Sequence, residues 1–293
     1  MSVVIAVIAL AGMCVFMYPS TAAWWSSYDQ SKVLKANTTV VEENVTPGNA
    51  ERLADAHRYN ELLSDGSITV GADQRKPTTD GSAETSDLAY EDLLSGPDGM
   101  MARIKIPTIN VDLPVYHGTS DVVLQKGAGH LQGTSLPVGG INTHAVISAH
   151  RGLATATMFN DLDKLKVGDT FVIEVLDQVL TYQVIETQVV DPEDTKTVLP
   201  REGEDLVTLV TCTPLGVNTH RILVTAERVT PTPLEDLEAA GDAPEIPGFP
   251  WWAIILSVGT LIIGRYVWRS GYPPKSKATT TPQEQETSLA VGR

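Results

Sequence analysis

One cysteine and one arginine lie at the two ends of a pattern typical of a β-hairpin. Cys212 ends the apolar run DLVTLVTC, and Arg221 begins the run RILVTAERV. The connection between them, TPLGVNTH, contains the turn residues Gly216 and Asn218. Because neighbouring strands are about 4.8 Å apart, a thiol and a guanidinium at the same end of a hairpin can reach one reacting atom. A guanidinium there favours negative charge on a thiolate or on an oxyanion.

A thiol nucleophile also needs a base, and one histidine is well placed to supply it. His150 ends the strand pattern HAVISAH and enters a loop, a position from which a side chain can point into a cleft. His144 lies at the other end of the same strand, about 20 Å away, so the two cannot serve one site. We therefore predict a catalytic group of His150, Cys212 and Arg221. The alternative is a buried structural cysteine with an ordinary surface arginine.

The remaining histidines of this region fit other roles. His117 and His130 lie in glycine-flanked turns, where we expect hydrogen-bonded scaffold residues. His220 adjoins Arg221 and is expected on the opposite face of the sheet, because successive side chains of a strand alternate.

Composition and motifs exclude several other classes of protein. The chain has 293 residues with 36 acidic against 21 basic ones, which argues against nucleic acid as a partner. Two cysteines cannot build a disulfide scaffold. No Cys, His or Asp pair has the spacing of metal ligands, and no glycine-rich phosphate loop follows a strand. We therefore expect neither a metal nor another cofactor.

The elements around the candidate site are predicted to be mostly strands. Many short apolar or alternating runs are separated by Gly and Pro turns, which favours an all-β barrel or sandwich. Short connecting helices are expected over 121–126 and 154–165. The predicted strands cover residues 102–106, 111–116, 146–147, 170–175, 179–190, 206–212 and 221–229.

Both ends of the chain carry apolar segments that predict a lipid bilayer as a partner. Residues 3–18 have no charge and suit a membrane segment or signal anchor, the alternative being a buried core helix. Residues 249–268 are long enough to span the bilayer and have aromatic residues at both boundaries. Basic residues follow this second segment, which predicts a cytoplasmic C-terminus and an extracellular middle region. They are Arg269, Lys275 and Lys277.

At the candidate site the chain resembles the sortases, the cysteine transpeptidases of Gram-positive cell surfaces. The stretch TLVTC that ends at Cys212 is similar to the family's TLxTC strand. Arg221 in NTHRILV and His150 in SAHRGL match its arginine and its histidine. The stretches VDLPVYHGT and GHLQGTSLPVGG are similar to those of class C, the pilus-specific group, and most of all to actinobacterial fimbria-associated sortases.

This resemblance implies an eight-stranded β-barrel, with His150, Cys212 and Arg221 as its catalytic residues. The implied reaction cleaves a Leu-Pro-x-Thr-Gly-like signal of a pilin precursor between Thr and Gly and transfers the acyl group to a lysine amine of another pilin. Class C members often hold a lid over the site with an Asp-Pro-aromatic triplet. Residues 64–100 are expected to be lid-like but contain no such triplet.

Three other functions compete with a pilin polymerase. A housekeeping sortase would join proteins to peptidoglycan by the same chemistry, but the extension, the covering loop and the C-terminal anchor favour the pilus-specific class. A non-catalytic adhesin or scaffold would not need Cys212. A papain-like protease would have its cysteine before its histidine and on a helix, and neither expectation holds here.

The predicted organisation divides the chain into seven parts. The barrel carries the chemistry, and the membrane segments lie at the two ends of the chain. The parts are a membrane segment or signal anchor (1–18), an extracellular helical extension (19–63), a lid-like loop (64–100), the catalytic barrel (101–232), an acidic Pro-rich stalk (233–248), a transmembrane helix (249–268) and a cytoplasmic tail (269–293).

Overall fold

The computed structural model describes residues 2–43, 47–64, 88–153, 156–191, 196–214, 217–244 and 247–271. Most of the predicted lid-like loop, residues 65–87, and most of the predicted tail therefore lie outside the described residues. The helices are α1 (Ser2–Glu43), α2 (Pro47–Ser64), α3 (Asp121–Lys126), α4 (Leu234–Glu238) and α5 (Trp251–Gly271). The strands are β1 (Met100–Ile106), β2 (Val111–His117), β3 (Ala128–His130), β4 (Thr143–Ser148), β5 (Thr170–Val175), β6 (Gln178–Val190), β7 (Asp205–Thr213) and β8 (His220–Arg228).

The chain forms two compact units, and one of them is made of its apolar ends. This unit comprises residues 1–18 and 251–293, and its described part is residues 2–18 of α1 together with α5. Both helices are long and apolar enough to cross a membrane, with mean hydropathies of 2.2 and 1.4 over their most apolar windows. Almost none of either window is buried by protein. This finding rests on length and composition alone.

The other unit, residues 19–250, contains a closed β-barrel. In the described part of the chain, eight strands pair in the cyclic order β1-β2-β3-β4-β7-β8-β6-β5. The β2/β3 and β4/β7 pairs are parallel, and the other pairs are antiparallel. This confirms the mostly β fold and the eight-stranded barrel, and it excludes an open sandwich.

Alternating apolar residues fill the inside of the barrel, as the sequence pattern predicts. Side chains that face inwards from several strands are almost completely buried, and each contributes about 2 kcal/mol through removal of its surface from water. Phe171 and Tyr182 stack with their ring centroids 5.7 Å apart. The interior includes Ile104, Ile106, Val115, Ile147, Ile173, Val184, Leu209 and Val224.

The helical extension packs against the barrel through polar as well as apolar contacts. Leu34 of α1 lies against Met100 and Tyr116. Asn60 of α2 donates a hydrogen bond to the carbonyl of Leu136 and accepts one from the backbone N–H of the same residue. These paired bonds fix α2 on the connection between β3 and β4.

Strand β3 was not predicted, and glycine explains both its formation and its weak sequence signal. Its three residues, AGH, are too few to show alternation, and two of them are small. A Cβ atom on Gly129 would overlap the carbonyl oxygen of Gly118, so only glycine allows β3 to lie this close to the end of β2.

The predicted helix over 154–165 is largely wrong. Residues 154–155 lie outside the described part, and the rest forms turns followed by a short 3-10 helix at Leu162–Lys164. Met158 has a φ of 41°, which an α-helix cannot accommodate. The apolar spacing that suggested a helix instead buries Phe159 and Leu162 from consecutive turns.

The segment after β8 is bound to the outside of the barrel by buried charges. Arg103 on β1 is only 3% exposed and forms two hydrogen bonds to the carboxylate of Asp112, at 2.7 and 2.6 Å. Its remaining terminal nitrogen contacts Glu174 at 3.5 Å and donates to the carbonyl of Asp242 at 2.8 Å. One guanidinium thus joins three strands to residues that follow α4.

We predict that Arg103→Leu lowers the free energy of unfolding by about 3–5 kcal/mol, because it leaves the Asp112 carboxylate without its buried cation, whereas Glu174 keeps its pair with Lys105. Urea denaturation of the full chain in detergent would measure the loss. Arg201→Leu is the matched control, since Arg201 pairs with Glu186 at 39% and 38% exposure and should cost less than about 1 kcal/mol. Equal losses in the two variants would contradict this assignment.

Candidate active site

Parallel pairing of β4 with β7 brings His150 to the cysteine strand. The two strands are in register from Thr143 opposite Asp205 to Ser148 opposite Val210. Two hydrogen bonds continue the contact beyond the end of β4: the Ala149 N–H donates to the Val210 carbonyl at 3.1 Å, and the Thr211 hydroxyl donates to the Ala149 carbonyl at 2.8 Å. Extending this register by two residues beyond Ser148 places His150 opposite Cys212.

The β7/β8 hairpin brings Arg221 to the other side of the same cysteine. Cys212 and Arg221 are direct partners across this antiparallel pair, as the hairpin pattern predicts. Directly opposed residues have Cα atoms about 4.5–5.5 Å apart and side chains on the same face. By this register we expect His150, two residues beyond the end of β4, to form one row with Cys212 of β7 and Arg221 of β8, about 10 Å wide by strand spacing.

The three side chains of the row are half-buried, whereas residues further along the same face of their strands are buried. The buried residues of that face include Val146, Thr208 and Leu223. The row therefore lies at the rim of the barrel, where a substrate can reach it. A thiol, an imidazole and a guanidinium at such a rim can attack a carbonyl carbon, transfer a proton and hold an oxyanion.

Arg221 is held by the turn that precedes it. Its Nη1 group donates to the carbonyls of Asn218 and His220, at 2.9 and 3.0 Å. Asn218 adopts a φ of 60°, a left-handed conformation that asparagine tolerates well. The turn thereby orients the guanidinium at the end of the hairpin where Cys212 lies.

Three other histidines of the barrel are held by hydrogen bonds, as predicted for His117 and His130. His144 is buried and lies between the hydroxyl of Thr208 at 2.7 Å and the carbonyl of Leu199 at 2.9 Å. His117 contacts the carbonyl of Leu93 at 2.7 Å. The expectation that His117 and His130 lie in turns is wrong, because His117 ends β2 and His130 ends β3.

His130 is the most strongly constrained of these histidines. Its ring donates from Nε2 to the Ser135 carbonyl at 2.8 Å, and its Nδ1 accepts from the Tyr90 hydroxyl at 2.9 Å. Complete burial lowers the pKa of His130 to about 4, with the nearby ring of His117 adding to the effect. Tyr90 also accepts from the Gly118 N–H, so this cluster fixes residues 88–95 at the root of the predicted lid-like loop.

Among the described residues, no group of three or more His, Cys, Asp or Glu side chains is placed to hold a metal ion. A cavity of about 660 Å³ lies elsewhere, between α1, α3 and the loop after His150. Its lining includes Gln30, Tyr116 and Leu153 but none of the three residues of the row.

Comparison with known proteins identifies the family. A family model described as the sortase domain matches residues 104–229, which contain the whole row. A crystal structure of sortase C-1 from Actinomyces oris is 47% identical, with a TM-score of 0.54, and the match covers 61% of this chain and 98% of that one. The chain belongs to the sortase family.

Two further relatives define how far the similarity extends. Sortase C of Streptococcus pneumoniae is 42% identical, with a TM-score of 0.58, over 69% of this chain and all of that one. Sortase D of Bacillus subtilis (strain 168) is 34% identical over 131 residues, 43% of this chain and 63% of that protein. The similarity to Sortase D is thus limited to a shorter part of the chain, whereas the similarity to the sortase C structures covers a larger share of it.

We predict that the stability of this sortase falls on acidification through His130. Because the folded-state pKa is about 4 and the ordinary value is 6.5, the unfolded chain binds the proton more readily. The loss should begin below about pH 7, grow until about pH 4 and reach about 3 kcal/mol. Urea denaturation at a series of pH values would measure it.

His130→Gln is the informative variant, since glutamine can donate and accept hydrogen bonds but does not titrate. Its stability between pH 7 and pH 4 should fall by about 3 kcal/mol less than that of the wild type. An identical pH dependence in both proteins would show that other groups account for the acid sensitivity.

Proposed function

We propose that this sortase is a membrane-anchored cysteine transpeptidase that polymerises pilins. It cleaves a Leu-Pro-x-Thr-Gly-like sorting signal between Thr and Gly and joins the new acyl group to a lysine amine of another pilin. The observation that carries this proposal is the row of His150, Cys212 and Arg221 at the rim of the barrel, across three neighbouring strands.

In the first half-reaction the thiolate of Cys212 attacks the threonine carbonyl carbon. The carbonyl electrons move onto its oxygen, where Arg221 stabilises the negative charge. The C–N bond to glycine then breaks, and protonated His150 gives its proton to the departing amine. The products are a thioester on Cys212 and a peptide that begins with glycine.

In the second half-reaction a lysine amine attacks the thioester carbonyl. Neutral His150 removes a proton from the attacking nitrogen, and the C–S bond breaks to restore the thiolate of Cys212. An isopeptide bond joins the two pilins. The proton that His150 lost in the first half-reaction returns to it in the second, so no further reactant is consumed.

Similarity to class C structures supports a pilin as the substrate. The Streptococcus pneumoniae relative is described in terms of pilin substrate specificity, and the match covers that whole chain. Sortases named A are also relatives, including one from Streptococcus agalactiae that is 28% identical over 67% of its length. The two functions therefore differ in the amine that accepts the acyl group. It is a pilin lysine in the proposed function and a peptidoglycan amine in the housekeeping alternative.

The two apolar helices support a membrane location with the barrel outside the cell. Trp251 and Trp252 lie at one end of α5, and Tyr266 and Trp268 lie near the other, as in an aromatic belt. The last turn of α5 carries Arg269, and basic residues favour the cytoplasmic side. Anchoring in the same membrane as pilin precursors raises their effective concentration at the enzyme.

We predict that Cys212→Ala abolishes formation of covalent pilin ladders and leaves the fold intact. The change removes the nucleophile but only one atom of a half-buried side chain, so the free energy of unfolding should change by less than about 1 kcal/mol. The assay incubates the full chain in detergent with a pilin that carries both the sorting signal and the acceptor lysine. Ladders on denaturing gels are the readout.

The same assay discriminates among the competing functions. Ladders with the Cys212→Ala variant would exclude the cysteine mechanism and favour a scaffold. Transfer to a peptidoglycan-derived amine, with none to the pilin lysine, would identify a housekeeping sortase. Loss of ladders on replacing the pilin lysine by arginine would support the proposed acceptor.

We predict that Arg221→Lys lowers kcat/KM about 100-fold. Lysine keeps the positive charge but cannot supply two parallel N–H groups to an oxyanion, and removal of one such donor typically costs 10²–10³ in rate. The measurement is steady-state cleavage of a sorting-signal peptide. Turnover within threefold of wild type would mean that charge alone suffices or that Arg221 is structural.

A further inference from the structure

The position of His150 depends on the loop that follows it. Pairing with β7 ends at Ala149, one residue earlier, and among the described contacts no hydrogen bond holds the imidazole of His150 itself. The ring must lie within about 3 Å of each atom with which it exchanges a proton. Something beyond the sheet must therefore fix the backbone that carries it.

A set of hydrogen bonds closes this loop on itself. The Phe159 N–H donates to the His150 carbonyl at 3.1 Å. The Gly152 N–H donates to the side-chain oxygen of Asn160 at 2.6 Å. Arg151 donates from Nε to the Asn160 carbonyl at 3.0 Å. His150 and the two residues that follow it are thus tied to the turn at 157–160.

Arg151 is the one residue of this set that also reaches the cysteine strand. Its Nη1 donates to the hydroxyl of Thr213 at 3.2 Å, and Thr213 is the neighbour of Cys212 in β7. Its Nη2 pairs with Asp163 at 2.7 Å. The Arg151 side chain is only 11% exposed, so its three nitrogens are committed to three partners in a largely desolvated position.

We propose that Arg151 is a positioning residue that sets the distance between the imidazole of His150 and the thiol of Cys212. The inference rests on the proposed function, in which these two groups exchange a proton. Arg151 does not touch the reacting atoms. It joins the backbone beside the base to the side chain beside the nucleophile, and its planar guanidinium fixes the angle between the two bonds.

Lysine cannot replace Arg151 in this role. A lysine could retain the ion pair with Asp163, but its ammonium is a point charge on a flexible stem and cannot also bond the Asn160 carbonyl and the Thr213 hydroxyl in fixed directions. A displacement of about 1 Å between reacting groups typically costs about 10²-fold in rate. The substrate-binding surface would remain, so substrate affinity should be largely unchanged.

The test uses the full chain in detergent and a fluorescence-quenched peptide that contains Leu-Pro-Glu-Thr-Gly. Arg151→Lys should lower kcat for cleavage between 10- and 100-fold and leave KM within threefold of wild type. Thr213→Val, which removes only the hydroxyl partner of Arg151, should also lower kcat. Thr213→Ser, which keeps that hydroxyl, should restore at least half of the wild-type kcat.

A double variant tests whether the two residues act through one bond. If they do, Arg151→Lys combined with Thr213→Val should have nearly the same kcat as Arg151→Lys alone, because the bond is lost only once. Multiplication of the two separate losses would overturn the proposed link between the loop and β7.

Arg228→Lys is the matched control for a merely structural effect. Arg228 is also part-buried and donates to the carbonyls of Thr181 and Val229 and to the hydroxyl of Thr232, but it lies at the opposite end of β8 from Arg221. It should lower the melting temperature about as much as Arg151→Lys and leave kcat within twofold of wild type. An equal loss of kcat in both variants would overturn the positioning role.

Failure of this inference is distinguishable from failure of the proposed function. If His150→Ala and Cys212→Ala abolish cleavage of the peptide while Arg151→Lys keeps kcat within threefold of wild type, only the positioning role is overturned. If Cys212→Ala cleaves the peptide at the wild-type rate, the proposed function itself is overturned.

Discussion

The parallel pairing of β4 with β7 is the constraint on which the rest of the site depends. It joins residues about 60 positions apart in the chain and fixes the register that carries His150 to Cys212. The β7/β8 hairpin, a local structure, then adds Arg221. A shift of β4 by one residue would turn His150 to the other face of the sheet, because side chains alternate along a strand. The buried apolar faces of both strands oppose such a shift.

Burial separates the histidines of the barrel into two groups. His130 and His144 are buried, and loss of water lowers their pKa values while hydrogen bonds satisfy both ring nitrogens. They remain neutral and hold strands and loops together. His150 lies at the rim beside a loop that is itself hydrogen-bonded, a position that suits proton exchange with a substrate. Burial thus distinguishes the structural histidines from the one that we propose to be catalytic.

The sequence predicted elements with strong local signals and missed those made by distant contacts. Alternating apolar residues over 170–175 predicted β5. The turn residues Gly216 and Asn218 between two apolar runs predicted the β7/β8 hairpin. Strand β3 was not predicted, because it depends on the close approach of Gly129 to the end of β2, which no sequence pattern indicates. The order of strands around the barrel could not be read from periodicity, since parallel pairing leaves no local mark. Arg151 belongs to the motif SAHRGL, but its three hydrogen-bond partners come together only in the folded chain.

His150 and Cys212 are far apart in the sequence, and this separation affects when the proposed site is assembled during folding. Distant pairings form late in folding, because the chain between them must be ordered before their contacts compensate for the lost entropy. In the proposed mechanism, Cys212 has no base until β4 closes against β7. The proposed site is therefore complete only when the barrel has closed. Because of this strand order, an incompletely folded molecule lacks the site and does not react with its neighbours.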